Sequence, residues 1–163
     1  MIEVKSMQQR MKTHSLTKEQ IGCLLLKAQV GRIATQNRSG YPYVVPVHFV
    51  YGNGRIYVHG LPKGQKLDNI ANNPKVGFEI DEMLGLLEEG VEAPCDINTE
   101  FNSVIIIGKA EILTDFTKKR DVLNKLVEKY TPRLSGKELP ENMVKGTAVI
   151  EIAILECTGK YYK

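Results

Sequence analysis

The sequence predicts a mainly β fold, a small antiparallel barrel of about six strands with helices at its ends. Three observations support this fold class. Strand-like segments outnumber helical ones, a strong hairpin signal joins two of them directly, and little of the strand–helix–strand rhythm of a parallel sheet is present. The 163 residues are expected to form a single domain, in which 1–14 is an arm that is either flexible or packed on a partner.

The composition argues against several classes of protein. Lys and Arg number 22 against 19 Asp and Glu, and the resulting charge of +3 is dispersed, so neither nucleic acid nor a membrane surface is expected as a partner. No apolar run approaches the ~20 residues of a membrane span. The first residues also lack the apolar core of a signal peptide. We therefore expect a cytoplasmic protein.

Neither the cysteines nor the histidines form a metal-binding pattern. Cys23, Cys95 and Cys157 are far apart, odd in number and outside any C-x-x-C motif. They are expected to be reduced thiols. The three histidines share no ligand spacing, so no metal site is predicted.

The first elements follow from local signals. Thr17 and Gln20 form the ends of a capping box, after which apolar residues recur at helical spacing. Gly31 is expected to end this helix. A strand over 32–36 and a turn over 37–40 come next.

A long strand is predicted over 41–51, YPYVVPVHFVY. Alternation places one set of side chains on one face and His48 on the other; the first set is Tyr43, Val45, Val47, Phe49 and Tyr51. Pro46 has no N–H to donate, so the strand must lie at an edge or be bulged there. Asn53-Gly54 is a hairpin turn that leads into a strand over 55–59.

The remaining segments predict two helices and three strands. A short helix after Gly64 should turn Leu67, Ile70 and Ala71 inward, and strands are expected over 75–80, over 102–113 with a bend at Gly108, and over 147–157. A helix capped by Asp115 should stop at Pro132. The acidic segment 81–100 and the polar segment 133–146 are expected to be connections.

The segment 60–74, GLPKGQKLDNIANNP, is the strongest candidate for a binding site. A predicted helix begins there, and its first turn offers unpaired N–H groups and a partial positive charge. Gly64 allows close approach of the backbone, and Lys66 adds a full positive charge. These features suit a phosphate group. An ordinary polar turn is the alternative, because Lys-Gly-x-Lys turns are common on surfaces.

Five segments in order resemble one known family. GRIAT (31–35), GYPYVVPV (40–47), GRIYVHG (54–60), GQKL (64–67) and NPKVGF (73–78) are similar to the flavin-binding split barrels related to pyridoxamine 5′-phosphate oxidase. Within that group they look most like the nitroimidazole-resistance proteins. The resemblance covers roughly residues 16–112 and, more loosely, 147–158.

The resemblance implies a six-stranded split barrel that forms a homodimer, with FMN (or FAD) between the subunits. Lys66 would hold the phosphate, and Gly64 and Gln65 would donate hydrogen bonds to it. Because many relatives have an Arg where Gly64 stands, Lys63 or Arg32 would supply a second charge. The other implied contacts are Val45, Pro46, Val47 and His48 along the isoalloxazine ring, Tyr57, Val58, His59 and Gly60 on the neighbouring strand, and Ser103 near the phosphate or ribityl chain.

The function implied is that of an FMN-dependent oxidoreductase of the pyridoxamine-phosphate-oxidase-related or nitroimidazole-reductase type, with His48 as the candidate catalytic residue. His48 as an exposed strand residue and His59 as a packing residue are the alternatives. The segment ECTGKYYK at 156–163 lacks the basic, histidine-containing segment that binds pyridoxamine phosphate in the oxidases. A flavin-binding store, sensor or carrier, and a cofactor-free interaction module, remain the other functional hypotheses.

Overall fold

The computed structural model describes residues 12–163, so most of the predicted arm 1–14 lies outside the described residues. Two short 3₁₀ turns accompany the main elements. In chain order these elements are α1 (Lys18–Lys27), β1 (Gly31–Gln36), β2 (Pro42–Val47), β3 (Phe49–Gly52), β4 (Arg55–Gly60), α2 (Gln65–Asn72), β5 (Lys75–Leu87), β6 (Asn98–Ile112), α3 (Phe116–Tyr130), α4 (Glu141–Gly146) and β7 (Ala148–Tyr162).

The strands form one antiparallel sheet in the order β2-β1-β5-β6-β7-β4-β3. The two edge strands, β2 and β3, are consecutive in the chain and are separated only by His48. One bent segment therefore supplies both edges and brings them together, which curls the sheet into a barrel with a seam. The predicted mainly β, split-barrel fold is confirmed, with seven strands in place of six because the predicted strand 41–51 breaks at His48.

The break at His48 is held by the end of α3. The N–H of Phe49 donates to the hydroxyl oxygen of Tyr130 at 2.9 Å, and that hydroxyl lies 2.9 Å from the carbonyl oxygens of Phe49 and Gln29. The His48 ring stacks on the Tyr130 ring, with 4.2 Å between centroids and 17° between planes. Tyr130 thus supplies the hydrogen bonds that the backbone groups of Phe49 do not find in a neighbouring strand. Pro46 lies in the edge strand β2, as predicted.

Tyr130→Phe should lower the free energy of unfolding by about 1–3 kcal/mol, because the N–H of the fully buried Phe49 loses its partner. Chemical denaturation measures the change. The control is Tyr41→Phe, since Tyr41 is 71% exposed and its loss of a hydroxyl should change stability by less than about 0.5 kcal/mol. Equal stability of the two variants would contradict this role for Tyr130.

Apolar side chains pack on both faces of the sheet near the seam. The barrel interior holds fully buried residues from most strands, and α1 and α2 add Leu25 and Ile70 to it. A second cluster lies outside the barrel, where α3 covers β3 and β7 through Val50, Val122 and Val149. Strands β3, β4 and β7 therefore have two different packed faces, and this separates the two cavities described below.

Most of the local signals are confirmed. The capping box is present, with the Gln20 N–H donating to Thr17 Oγ1 at 3.2 Å and the Thr17 N–H donating to Gln20 Oε1 at 2.8 Å. Asn53 and Gly54 have the positive φ angles, 53° and 69°, of a tight hairpin turn. The β6–β7 register shifts at Gly108, and Asp115 caps α3.

Several predicted boundaries were wrong. Gly31 begins β1 rather than ending α1. Segment 81–100 is largely strand, because residues 81–87 pair with residues 98–103 in a long hairpin. Segment 133–146 contains α4, and β7 extends to residue 162. Ala71 is exposed, while Asn69 is buried with its side-chain amide donating to Thr35 Oγ1 at 2.9 Å.

Candidate functional site

A cleft of about 250 Å³ opens at the seam of the barrel. Tyr43, Val45 and Pro46 of β2 form one wall, and Gly60, Ala148 and Ile150 form the other. The loop before α2 and the first turn of α2 close one end. The cleft therefore lies between the edge strand β2 and the paired strands β4 and β7, and segment 60–74 contributes its polar groups.

Lys66 is the principal charge of this cleft. Its side chain is half-buried, and no carboxylate or hydrogen-bond acceptor among residues 12–163 pairs with it. Burial lowers the pKa of its ammonium group. A Cβ atom built on Gly60 would lie 3.6 Å from Lys66 Nζ. The ammonium group therefore lies close to the backbone of Gly60, where no side chain separates the two. An anion in the cleft would pair this charge.

The start of α2 adds backbone donors beside Lys66. Gly64 precedes the helix with φ of 145°, and its carbonyl oxygen accepts the N–H groups of Leu67 and Asp68 at 3.0 and 3.2 Å. No side chain caps this end of the helix, so the first N–H groups, those of Gln65 and Lys66, have no intrahelical acceptor. The predicted combination of ammonium and helix start is therefore present in the structure.

The second positive charge of the cleft belongs to Lys63. Lys63 is exposed and lines the cleft, and none of the cleft residues carries a carboxylate. Arg32 was the other candidate. Its guanidinium bonds Glu79 at 2.9 Å and also Asp81, and these hydrogen bonds raise the pKa of Arg32. Arg32 is thus engaged by two acids and does not line the cleft.

The structure brings together about half of the predicted site residues. Those that line the cleft are Val45, Pro46, Gly60, Lys63, Gly64, Gln65 and Lys66. The cleft also includes Ala148 and Ile150, which were not predicted from the sequence as site residues. No local signal marks them, because β7 reaches the cleft only by pairing with β4.

The other predicted residues lie elsewhere in the protomer. Val47 and Val58 pack in the barrel interior, and Tyr57 packs under α3. Ser103 is in β6, opposite Asp81 and Lys160 in the neighbouring strands. His48 and His59 line a different cavity. The predicted contacts of these residues with a flavin stay predictions.

That second cavity, called the α3 cavity here, has a volume of about 460 Å³. It lies between the outer face of the sheet and helices α3 and α4, and its walls include His48, His59, Val127, Tyr130 and Met143. Gly60 and Ala148 face the cleft, whereas their chain neighbours His59 and Thr147 face the α3 cavity. The two spaces are therefore on opposite faces of the β4–β7 pair.

The pKa of His59 is affected by groups in both the cleft and the α3 cavity. Its Nδ1 atom is buried and has no hydrogen-bond partner among residues 12–163. Burial lowers the pKa of His59, with smaller contributions from His48 and from Lys66 across the strand. The imidazole is therefore neutral near pH 7.

Residues 12–163 contain no cluster of three or more side chains suited to a metal ion. None of the helices in this part of the chain has the length and apolar character needed to cross a bilayer. The three cysteines are unpaired and exposed.

Solved structures share this fold over most of the chain. A candidate 5-nitroimidazole antibiotic resistance protein from Bacteroides thetaiotaomicron is 26% identical and superimposes with a TM-score of 0.77, covering 90% of this chain and 86% of its own. The flavocytochrome Anf3 from Azotobacter vinelandii is 20% identical with a TM-score of 0.82, covering 96% of this chain and 72% of its own. A FAD and heme binding protein from Mycobacterium smegmatis is 17% identical with a TM-score of 0.80, covering 90% and 72%.

Sequence comparisons agree with the fold. An uncharacterised protein of Rhizobium meliloti (strain 1021) is 30% identical over 76 residues, which are 47% of this chain and 42% of that relative. The chain thus matches less than half the length of this relative. The family model described as pyridoxamine 5′-phosphate oxidase matches residues 17–161, nearly the whole described chain. Together with the split barrel and the cleft at its seam, this match shows that the chain belongs to the pyridoxamine 5′-phosphate oxidase family.

Proposed function

We propose that the protein is an FMN-binding oxidoreductase whose cofactor phosphate is held by Lys66. The observation that carries the proposal is the unpaired, half-buried ammonium of Lys66 beside the free N–H groups at the start of α2. A phosphate dianion is the ligand that such a site suits best, because its oxygens accept hydrogen bonds from both the ammonium and the backbone N–H groups. Lys63 adds a flexible second charge at the rim.

The remainder of the cleft suits the apolar part of the same ligand. Beyond Lys66 the walls are formed by Tyr43, Val45 and Ile150, with the backbone of Pro46 and Gly60 between them. When bound, FMN supplies hydride and electron transfer at its ring. The protein residues anchor the phosphate, orient the ring along β2 and restrict water at the seam. FAD is the alternative cofactor, since solved relatives of this fold bind it.

The proposal includes a homodimer, because one protomer does not enclose the cleft. Its volume of about 250 Å³ is below the ~300–1,000 Å³ usual for cofactor sites. Large apolar side chains stand exposed around it, with Leu61 81% and Val44 55% exposed. A second copy of the chain would cover these residues and complete the wall of the site.

The visible spectrum of the purified protein tests cofactor binding, with the released chromophore identified as FMN, FAD or neither. If no flavin is bound, titration of the protein with FMN should quench flavin fluorescence, and riboflavin should bind more weakly because it lacks the phosphate. A protein that binds neither flavin would contradict the proposal and favour a cofactor-free interaction module.

Turnover is tested separately from binding. Stopped-flow reduction by nicotinamide cofactors, followed by reoxidation with a nitroimidazole, measures whether electrons pass through the bound flavin. A protein that binds FMN but is neither reduced nor reoxidised would be a flavin store, sensor or carrier. The cytoplasmic location stays a prediction.

The homodimer gives a further expected result. Light scattering of the flavin-loaded protein at micromolar concentration should give the mass of two chains. Leu61→Glu should shift the mass toward one chain, because a buried carboxylate at the interface is unfavourable. The control is Leu155→Glu, a similarly exposed leucine that does not line the cleft. A flavin-loaded protein with the mass of one chain would contradict the dimer.

A further inference from the structure

The α3 cavity has the size and lining of a small-molecule site that differs from the cofactor cleft. Its volume of about 460 Å³ lies within the ~300–1,000 Å³ usual for such sites. Leu123, Val127 and Val144 form its apolar walls. None of its lining residues carries an ammonium, guanidinium or carboxylate group. A charged ligand would therefore lose its hydration without gaining a counter-charge, so the cavity favours an uncharged molecule.

The imidazole of His59 has no hydrogen-bond partner among residues 12–163. Its Nδ1 atom is covered by the protein, whereas Nε2 is not buried, so Nε2 is the ring nitrogen that a ligand in the cavity can reach. The threonine hydroxyls of the lining are engaged, since Thr147 Oγ1 donates to the Met143 carbonyl at 2.8 Å and Thr131 Oγ1 to the Val127 carbonyl at 3.3 Å. His59 Nε2 is thus left for a ligand.

The protonation state of His59 limits which chemical group of a ligand could form a hydrogen bond with it. The ring is neutral, so Nε2 either carries the proton or presents a lone pair, depending on the tautomer. A hydroxyl group can both donate and accept, and it therefore satisfies either tautomer. A carboxylate satisfies only one of them and brings a charge.

A rigid aromatic wall adds shape to the site. The rings of His48 and Tyr130 are stacked 4.2 Å apart, and the Tyr130 hydroxyl is fixed by backbone groups of Gln29 and Phe49. A flat aromatic ligand can pack on such a wall. Met143, 61% exposed on α4, lies at the rim, where its flexible side chain can move aside.

We propose that the α3 cavity binds an uncharged aromatic molecule that carries a hydroxyl group, hydrogen-bonded to His59 Nε2. The site is separate from the cofactor cleft, because the β4–β7 pair lies between them. Binding in the α3 cavity therefore requires no flavin.

The probe is 2-naphthol, whose fluorescence reports binding, and it is compared with naphthalene and with naphthalene-2-sulfonate. We expect 2-naphthol to bind about 3- to 10-fold more tightly than naphthalene, the effect of one neutral hydrogen bond. The sulfonate should bind more weakly than either. The protein is used with and without added FMN.

Two variants locate the bound probe. Val127→Phe should fill the cavity and reduce the affinity for 2-naphthol and naphthalene at least about 10-fold. Val30→Phe is the matched control, since Val30 is exposed and does not line the cavity. His59→Phe should keep the affinity for naphthalene and abolish the advantage of 2-naphthol. If Val127→Phe does not fold, Met143→Phe is the second filling variant.

Three results would overturn the proposal. They are equal binding of 2-naphthol to Val127→Phe, Val30→Phe and the unchanged protein; equal binding of the sulfonate and 2-naphthol; and competitive displacement of 2-naphthol by FMN, which would make the cavity part of the cofactor site. A protein that binds 2-naphthol as expected but binds no flavin would support this site and contradict the proposed function.

Discussion

Lys66→Ala should weaken FMN binding about 10- to 100-fold and leave riboflavin binding nearly unchanged. A charge-assisted hydrogen bond contributes roughly 1.5–3 kcal/mol, and ~1.4 kcal/mol is a tenfold change in affinity. Riboflavin lacks the phosphate, so it does not sense the ammonium. Fluorescence titration of the two flavins against the same protein measures the difference.

The control for this experiment is Lys63→Ala. Lys63 also lines the cleft, but it is exposed, so solvent screens its charge and its loss should weaken FMN binding less than that of Lys66. A larger FMN-specific loss in Lys63→Ala would move the phosphate anchor to the preceding turn. Equal weakening of both flavins by Lys66→Ala would contradict a phosphate site at the start of α2.

Gly31→Ala should lower the free energy of unfolding by about 3 kcal/mol, the upper end of the usual cost of overpacking. A Cβ atom at Gly31 would lie 2.1 Å from Cζ of Phe78. Phe78 is 1% exposed, and its ring packs edge-on against the ring of Phe49, with 5.1 Å between the centroids. Because the Phe78 ring is buried, moving it away requires other core side chains to repack. A loss of this size lowers Tm by roughly 6–12 °C in a chain of this length.

The matched control is Gly22→Ala. Gly22 lies inside α1, and an added Cβ there meets nothing within 4 Å, so we expect stabilisation by about 0.4–1 kcal/mol. A double variant, Gly31→Ala with Phe78→Leu, separates steric conflict from backbone effects. It should be more stable than the sum of the two single changes predicts. Strict additivity would mean that the ring is not the cause.

The sequence predicted the features that depend on nearby residues. The capping box at Thr17, the Asn53-Gly54 turn and the Asp115 cap are all set within four residues, and the structure contains each of them. Lys66, Gly64 and Gln65 also lie together because one helix start holds them. These parts needed no knowledge of the rest of the chain.

The missed features depend on residues far apart in the sequence. The break at His48 is held by Tyr130, whose hydroxyl is 81 positions from Phe49. The extra length of β5 exists only because residues 98–103 return beside it. His48 and His59 share the β-strand region with the cleft residues, but α3 and α4 cover the opposite face and enclose them in a separate cavity. The alternation of side chains predicted the two faces of the strand at 41–51, but it could not predict which elements pack on each face.

The pairing of β4 with β7 also has a consequence for the order in which the chain can fold during synthesis. Tyr57 and Glu151 are partners in this pairing, so β4 emerges from the ribosome long before its neighbour exists. Until residues 148–153 are available, the β3–β4 hairpin keeps an unpaired strand edge that other chains can contact. Gly60 meets Ala148, and His59 meets Val149, only at this step. Both the cleft and the α3 cavity therefore lack part of their walls until the last strand is made.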